Sequence, residues 1–157
     1  MDREKLQVWA LTAEIISGVA VVATLMFLAF EMRDNTNASQ AQTYQTLMQE
    51  INGYRKMIGE RAMAEVVVKH GAEGWDALSP VEQRQIRSAQ LVIWGVYESA
   101  YFANQRGVLG ASEWSRFKRL LCTRLENSGT QWASGNQSPI RVLHTAEFVE
   151  YVENLCQ

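Results

Sequence analysis

The sequence predicts an all-α protein, with one N-terminal transmembrane helix followed by a small antiparallel helical bundle. Three observations carry this prediction. The segment from Ile15 to Phe30 holds no charged residue, and the apolar run from Leu11 to Phe30 supplies about the 20 residues that a helix needs to cross a hydrocarbon layer roughly 30 Å thick. Beyond it, apolar side chains return every three or four positions, the helical period, and not in strand-like alternation. Only two prolines occur, so little in the chain forbids a helix interior. The expected division is 1–34 for the charged lead and membrane helix and 35–157 for a soluble helical-bundle domain, a size usual for one domain.

Composition narrows the function classes. A net charge of -2 leaves no dominant basic face, which argues against nucleic acid as a partner. The two cysteines, Cys122 and Cys156, are too few for a disulfide scaffold and lack the spacing of a zinc site. They read as free, mostly buried thiols. Arg3 and Lys5 ahead of an apolar run also suit a secretory signal. The run is longer than a signal's apolar core, however, and Leu28-Ala29-Phe30-Glu31-Met32 is a poor small-residue cleavage site. The run reads as a retained anchor, within which every backbone polar group must be satisfied by helix formation.

Trp9 stands where an interfacial aromatic belongs. Within the span, Ala10, Ala13, Ser17, Ala20 and Thr24 recur at spacings of three and four, a stripe of small side chains along which two helices can approach closely. Glu14 lies on the side of Ala10, Ser17 and Val21. A carboxylate in such a run either faces protein or reaches the headgroups from near the helix end, and both readings stand for Glu14. No histidine falls in the span, so it offers no imidazole to a haem or chlorophyll.

The polar cluster Glu31 to Asn37 marks the exit from lipid. Either Asn35 or Asn37 caps a new helix there, or the first helix runs straight on, since no proline intervenes. Tyr44, Ile51 and Ile58, with Leu47 and Tyr54 beside them, form an amphipathic stripe over 38–58, with Gly53 its weak point. A short helix is expected over 61–70, stopped by Gly71 and Gly74. Ser79-Pro80-Val81-Glu82 is the clearest helix start: a serine N-cap, proline at the first helical position and a glutamate able to close a capping box. That helix is expected to end at Arg106, with Gly107 just beyond it. It should be the central buried one, because 91–102 is apolar or aromatic nearly all round.

Ser112 is expected to cap the next helix, which buries Trp114, Phe117, Leu121 and Leu125 and turns Arg116, Lys118, Arg119 and Arg124 outward. The Gly-, Ser- and Asn-rich stretch 127–139 reads as a loop, with room for one turn around Trp132. Thr145 then caps a last short helix that buries Phe148, Val152 and Leu155.

Chemistry is sparse. No catalytic, cofactor-binding or metal-ligating residue is assigned. His70 and Glu73, and His144 and Glu147, are pairs three apart. A di-iron bundle needs Glu-x-x-His pairs on two helices and carboxylates on two more. Cys122 sits among Leu120, Leu121 and Leu125, an apolar setting and not the electropositive one of a reactive thiol. No phosphate loop or serine elbow occurs. The candidates for facing a ligand are Tyr97, Glu98 and Tyr101, with Glu98 either satisfied by tyrosine or arginine partners or free to bind a ligand. Trp9, Trp75, Trp94, Trp114 and Trp132 read as core or interfacial anchors.

The span running into Glu31-Met32-Arg33-Asp34-Asn35-Thr36, then Ala41-Gln42-Thr43-Tyr44, Leu78-Ser79-Pro80-Val81-Glu82, Tyr97-Glu98-Ser99-Ala100-Tyr101, Gly107-Val108-Leu109, Glu113-Trp114 and Trp132 resembles a family of small, uncharacterised bacterial single-span membrane proteins with a C-terminal helical domain. The likeness covers most of the chain. It implies architecture and a bacterial origin, and no catalytic residue.

The expected function is non-enzymatic: a single-pass inner-membrane protein that mediates assembly, as a homo-oligomer or as an accessory subunit of a larger membrane complex. Its partners would be the lipid bilayer and itself or another membrane protein, and the Tyr44–Ile51–Ile58 row would extend the packing seam beyond the span. One alternative is a membrane-tethered module that binds a small ligand or partner peptide through Tyr97, Glu98 and Tyr101. Another is a homo-oligomeric pore lined by Glu14, Ser17 and Thr24. Arg3 and Lys5 outnumber Arg33 in the near flanks, which by the positive-inside rule leans to a periplasmic domain, whereas a free Cys122 suits the cytoplasm.

Overall fold

The computed structural model describes the backbone of residues 3–133 and 139–155, and the side chains of residue 9 and of residues 11–126 and 141–155. Its elements are α1 (Arg3–Gly59), α2 (Arg61–Glu73), a 3-10 turn (Trp75–Ala77), α3 (Pro80–Gln105), α4 (Ala111–Ala133), α5 (Pro139–Leu143) and α6 (Ala146–Leu155). No strand occurs among the described residues, and the all-α expectation holds. Two compact units divide the chain, Met1–Ser39 and Gln40–Gln157.

The first unit is the N-terminal part of α1. Its apolar stretch is long enough to cross a membrane by length and composition. Among the described residues it is left uncovered: Ile15 is 63% and Phe27 65% exposed. An uncovered apolar surface of this extent marks a membrane or protein contact. Neither Asn35 nor Asn37 caps a helix, because α1 passes through both without a break. Two hydroxyls along it are satisfied locally: Thr24 donates to the Ala20 carbonyl (2.8 Å) and Thr36 to that of Met32 (2.9 Å).

The second unit is built on two apolar clusters. The larger joins Leu47 and Ile51 of α1, Trp94, Tyr97 and Tyr101 of α3, Phe117 and Leu121 of α4, and Phe148 and Val152 of α6. Trp94, Phe117, Leu121, Phe148 and Val152 are the most deeply buried, and removing each such side chain from water contributes about 1.5–3 kcal/mol. The smaller cluster gathers Met63 and Val66 of α2, Leu78, and Ile86 and Ala89 of α3. The Tyr44–Ile51–Ile58 row belongs to these cores: Ile51 is 4% exposed, and Tyr44 and Ile58 pack on one cluster each. Most of its apolar face packs within the chain, with Tyr44 and Ile58 half-buried.

Local chemistry sets the helix ends. At the start of α3, the Glu82 carboxylate accepts from the Ser79 amide (2.6 Å) and the Ser79 hydroxyl accepts from the Glu82 amide (3.4 Å), closing the capping box. At its far end the Val108 amide donates to Ala103 and the Gly107 amide to Asn104, both at 3.0 Å. This Schellman pairing needs a left-handed residue, and Gly107 supplies φ 71°. Helix α2 runs past Gly71 and stops at Gly74, whose φ is 88°.

Two expectations change. Helix α4 begins at Ala111, with the Gly110 carbonyl accepting from Trp114 (2.9 Å). Gly110 is the residue before the helix, and the Glu113 side chain folds back over it into the space a Cβ would take. The Ser112 hydroxyl is bonded to Glu113 (2.7 Å) instead of capping. Helix α4 also continues to Ala133, so 127–133 is helical and not loop. No proline interrupts that stretch, and a single interior glycine, Gly129, costs only about 1 kcal/mol.

Candidate functional site

Helix α3 projects Glu98 toward the junction of α5 and α6, and the junction answers it with three hydrogen bonds. The Thr145 amide and the Thr145 hydroxyl both donate to Glu98 Oε1 at 2.8 Å. His144 Nδ1 lies 2.6 Å from Glu98 Oε2. A carboxylate only accepts, so the imidazole carries its proton on Nδ1 here. The His144 side chain is 5% exposed and that of Glu98 17%. The second imidazole nitrogen, Nε2, is buried without a hydrogen-bond partner. The ring meets Phe148 edge-on, with centroids 5.7 Å apart.

Thr145 occupies the N-cap position of α6, its carbonyl accepting from Val149 (3.0 Å). Its hydroxyl does not cap its own helix. Glu98 supplies the negative group there, at the helix end where the peptide dipoles favour an anion. Burial pushes the Glu98 carboxyl up, but the hydrogen bonds from Thr145 and His144 outweigh burial and hold it below its ordinary value.

Beside this contact, the Tyr101 hydroxyl donates to Glu147 Oε1 (3.0 Å), and the Tyr101 ring lies against Tyr151 with centroids 4.7 Å apart. Burial, reinforced by Glu147, raises the Tyr101 phenol above its usual value. Tyr97 is buried at 6% exposure, and burial raises it too. Of the three residues expected to face a ligand, the two tyrosines are thus core side chains and Glu98 is engaged by its own chain. Its partners are not the expected tyrosine or arginine but residues 46 and 47 positions further on. That separation left no local signal; only the proximity of His144 to Thr145, an N-cap residue, hinted that the junction carries polar chemistry.

The other candidates are dispersed. His144 and Glu147 part company, one toward Glu98 and the other toward Tyr101. His70 packs edge-on against Trp75 at 5.8 Å. Among the described residues no group of three or more His, Cys, Asp and Glu gathers to hold a metal. Along α1, Ala13, Glu14, Ser17, Ala20 and Thr24 are all exposed, while the side chain of Ala10 lies outside the described residues. Trp94 is buried and Trp9 is 75% exposed; the Trp132 side chain lies outside the described residues.

Two further expectations are corrected. Cys122 is disulfide-bonded, not a free thiol; Cys156, the one other cysteine in the sequence, lies outside the described residues. Apolar neighbours in sequence fix the burial of a cysteine and say nothing of a distant partner. Arg124 is not turned wholly outward. It donates to the Tyr54 hydroxyl (2.9 Å), lies over the Tyr54 ring at 5.4 Å, and buries its Nε without a partner. Arg116 makes the equivalent bond to Tyr44 (2.7 Å) in an exposed setting. The unit also carries two open grooves, one of about 490 Å³ between α1 and α3 around Gly53 and Gly95, and one of about 470 Å³ beside Lys118, Glu150 and Tyr151.

Comparison of the chain with protein-family models, curated proteins and solved structures returned no match.

Proposed function

We propose that this is a single-span membrane protein of non-enzymatic role, whose α1 anchors and assembles it, with itself or as an accessory subunit of a larger membrane complex. The observation that carries the reading is the uncovered apolar surface of α1 from Leu11 to Phe30. Side chains of this kind, about half to two-thirds exposed over the length of a bilayer core, find their stable surroundings in lipid and in other helices. Ser17 and Ala20 leave room for close helix approach on one stripe of that surface. In this reading the helices of the second unit form an antiparallel bundle, and the bacterial inner membrane is the setting implied by the sequence resemblance.

The same reading puts the second unit on the periplasmic side. The Arg3 and Lys5 lead supports a cytoplasmic N-terminus. The disulfide at Cys122 supports an oxidising compartment for α4, and it removes the earlier argument for the cytoplasm.

The test is the mass of the complex extracted gently from its native membrane, with whatever co-migrates identified. A defined oligomer, or a stoichiometric complex with another membrane protein, is expected. Ser17→Leu and Ala20→Leu, which fill the stripe, are expected to dissociate it. A monomer indifferent to both substitutions overturns the assembly role, and an N-terminus cleaved beyond Phe30 overturns the anchor. Alkylation of Cys122 in intact cells only after reduction is the result expected of the periplasmic placement.

A further inference from the structure

We infer that the contact of Glu98 with His144 and Thr145 is an acid-operated latch: it fastens α5 and the first turn of α6 to α3, and protonating Glu98 loosens that end of the segment while α3, α4 and the disulfide of Cys122 stay in place. Helix α6 has 10 residues and α5 has 5, and helices that short are not stable in water without a surface to dock on. Their helical state therefore depends on what holds them. The apolar part of that hold is Phe148 and Val152. Of the polar part at the N-terminal end of α6, three donors at 2.6 to 2.8 Å meet on the Glu98 carboxylate, and Glu147 adds the bond from Tyr101.

The contact is strongest with Glu98 ionised. All three partners donate to it there, and protonation removes the charge that strengthens all three bonds. The other charged and titratable groups nearby do not substitute for it. On its own helix, Tyr97 is buried and Tyr101 is bonded to Glu147 of α6. From α4, Lys118 lines the groove on the Tyr101 side. Within the segment, Arg141 is paired with Glu153. His144 presents Nδ1 to Glu98, and its Nε2 is buried without a hydrogen-bond partner.

The sign follows from the direction of the shift. The folded carboxyl is held below its ordinary value of 4.5, so the contribution is fully present above that value and is lost as pH falls through the folded one.

Hydrogen exchange on the full chain in detergent micelles, followed from neutral to acid pH, tests this. Amide protection over 146–150 is expected to fall below the ordinary carboxylate value, by no more than about tenfold per pH unit, the slope of one linked proton, and to level off beneath the folded value, while the Phe117 and Leu121 amides stay protected over the same steps. Thr145→Val removes one of the three donors, brings the folded carboxyl nearer its ordinary value, and is expected to lower protection at neutral pH and shrink the acid step. Glu98→Gln keeps the shape without the charge; α6 should then be poorly protected at neutral pH and lose the acid step. Loss of protection in α6 and α4 together in the wild type overturns the latch even where the glutamine variant fails to fold. So does an acid step that survives in Glu98→Gln.

Discussion

A hydrogen bond to a tyrosine hydroxyl is worth more when the donor has no water to fall back on. Arg116–Tyr44 and Arg124–Tyr54 are chemically the same bond between α4 and α1, but the first is exposed and the second part-buried, beside an Nε that already lacks a partner. Tyr54→Phe is expected to cost about 1–2 kcal/mol by leaving another guanidinium donor unpaired, and Tyr44→Phe less than half of that. Urea titration of the two variants measures the difference, and equal losses would mean that water reaches both sites alike. Tyrosine ionisation gives a second residue-scale test. Burial raises Tyr97, Tyr101 and Tyr151, with Glu147 adding to Tyr101. Their stabilisation is present below the ordinary value of 10.0 and is lost as pH rises through the folded values. Ultraviolet titration should find these phenols still protonated at pH 10, and Tyr101→Phe should remove one of them.

At the scale of the element, α3 shows how a short local pattern fixes a boundary. Ser79→Ala is expected to cost about 1 kcal/mol. Glu82 is lowered from 4.5 to about 2 by the Ser79 amide first, then the Ser79 hydroxyl, then Lys69. Its contribution is complete above 4.5 and fades as pH drops toward 2; the alanine variant should flatten that part of an acid-denaturation curve. Gly107→Ala, forced into φ 71°, is expected to cost about 1–2 kcal/mol. Both ends of α3 were legible in the sequence because every participant lies within a few residues. The same local reasoning chose Ser112 as a cap where Gly110 and Glu113 do that work, since it saw a hydroxyl and not the fold-back of Glu113. It read 127–133 as loop because composition stood in for the missing tertiary term. The partners of Glu98 belong to a junction that approaches α3 only after folding, and no spacing rule reaches them.

For the whole molecule, the disulfide and the core predict different failures. Cys122→Ser is expected to lose about 2–4 kcal/mol, a typical disulfide contribution. In thermal melts the wild type with reductant should approach the variant, and the variant should ignore the reductant; a wild type equally indifferent would mean that the bond adds no stability. The larger apolar cluster draws on residues from Leu47 to Val152, and two of its most buried members, Phe148 and Val152, come from α6. The core is therefore completed by the part of the chain that is synthesised late. While the nascent chain is still short of Ala146, the aromatic faces of α3 and α4 have been made and have no cover. Maturation is then a waiting problem, in which the cell must shelter those faces until α6 arrives, and a chain terminated before it is material for proteolysis and not a smaller working protein.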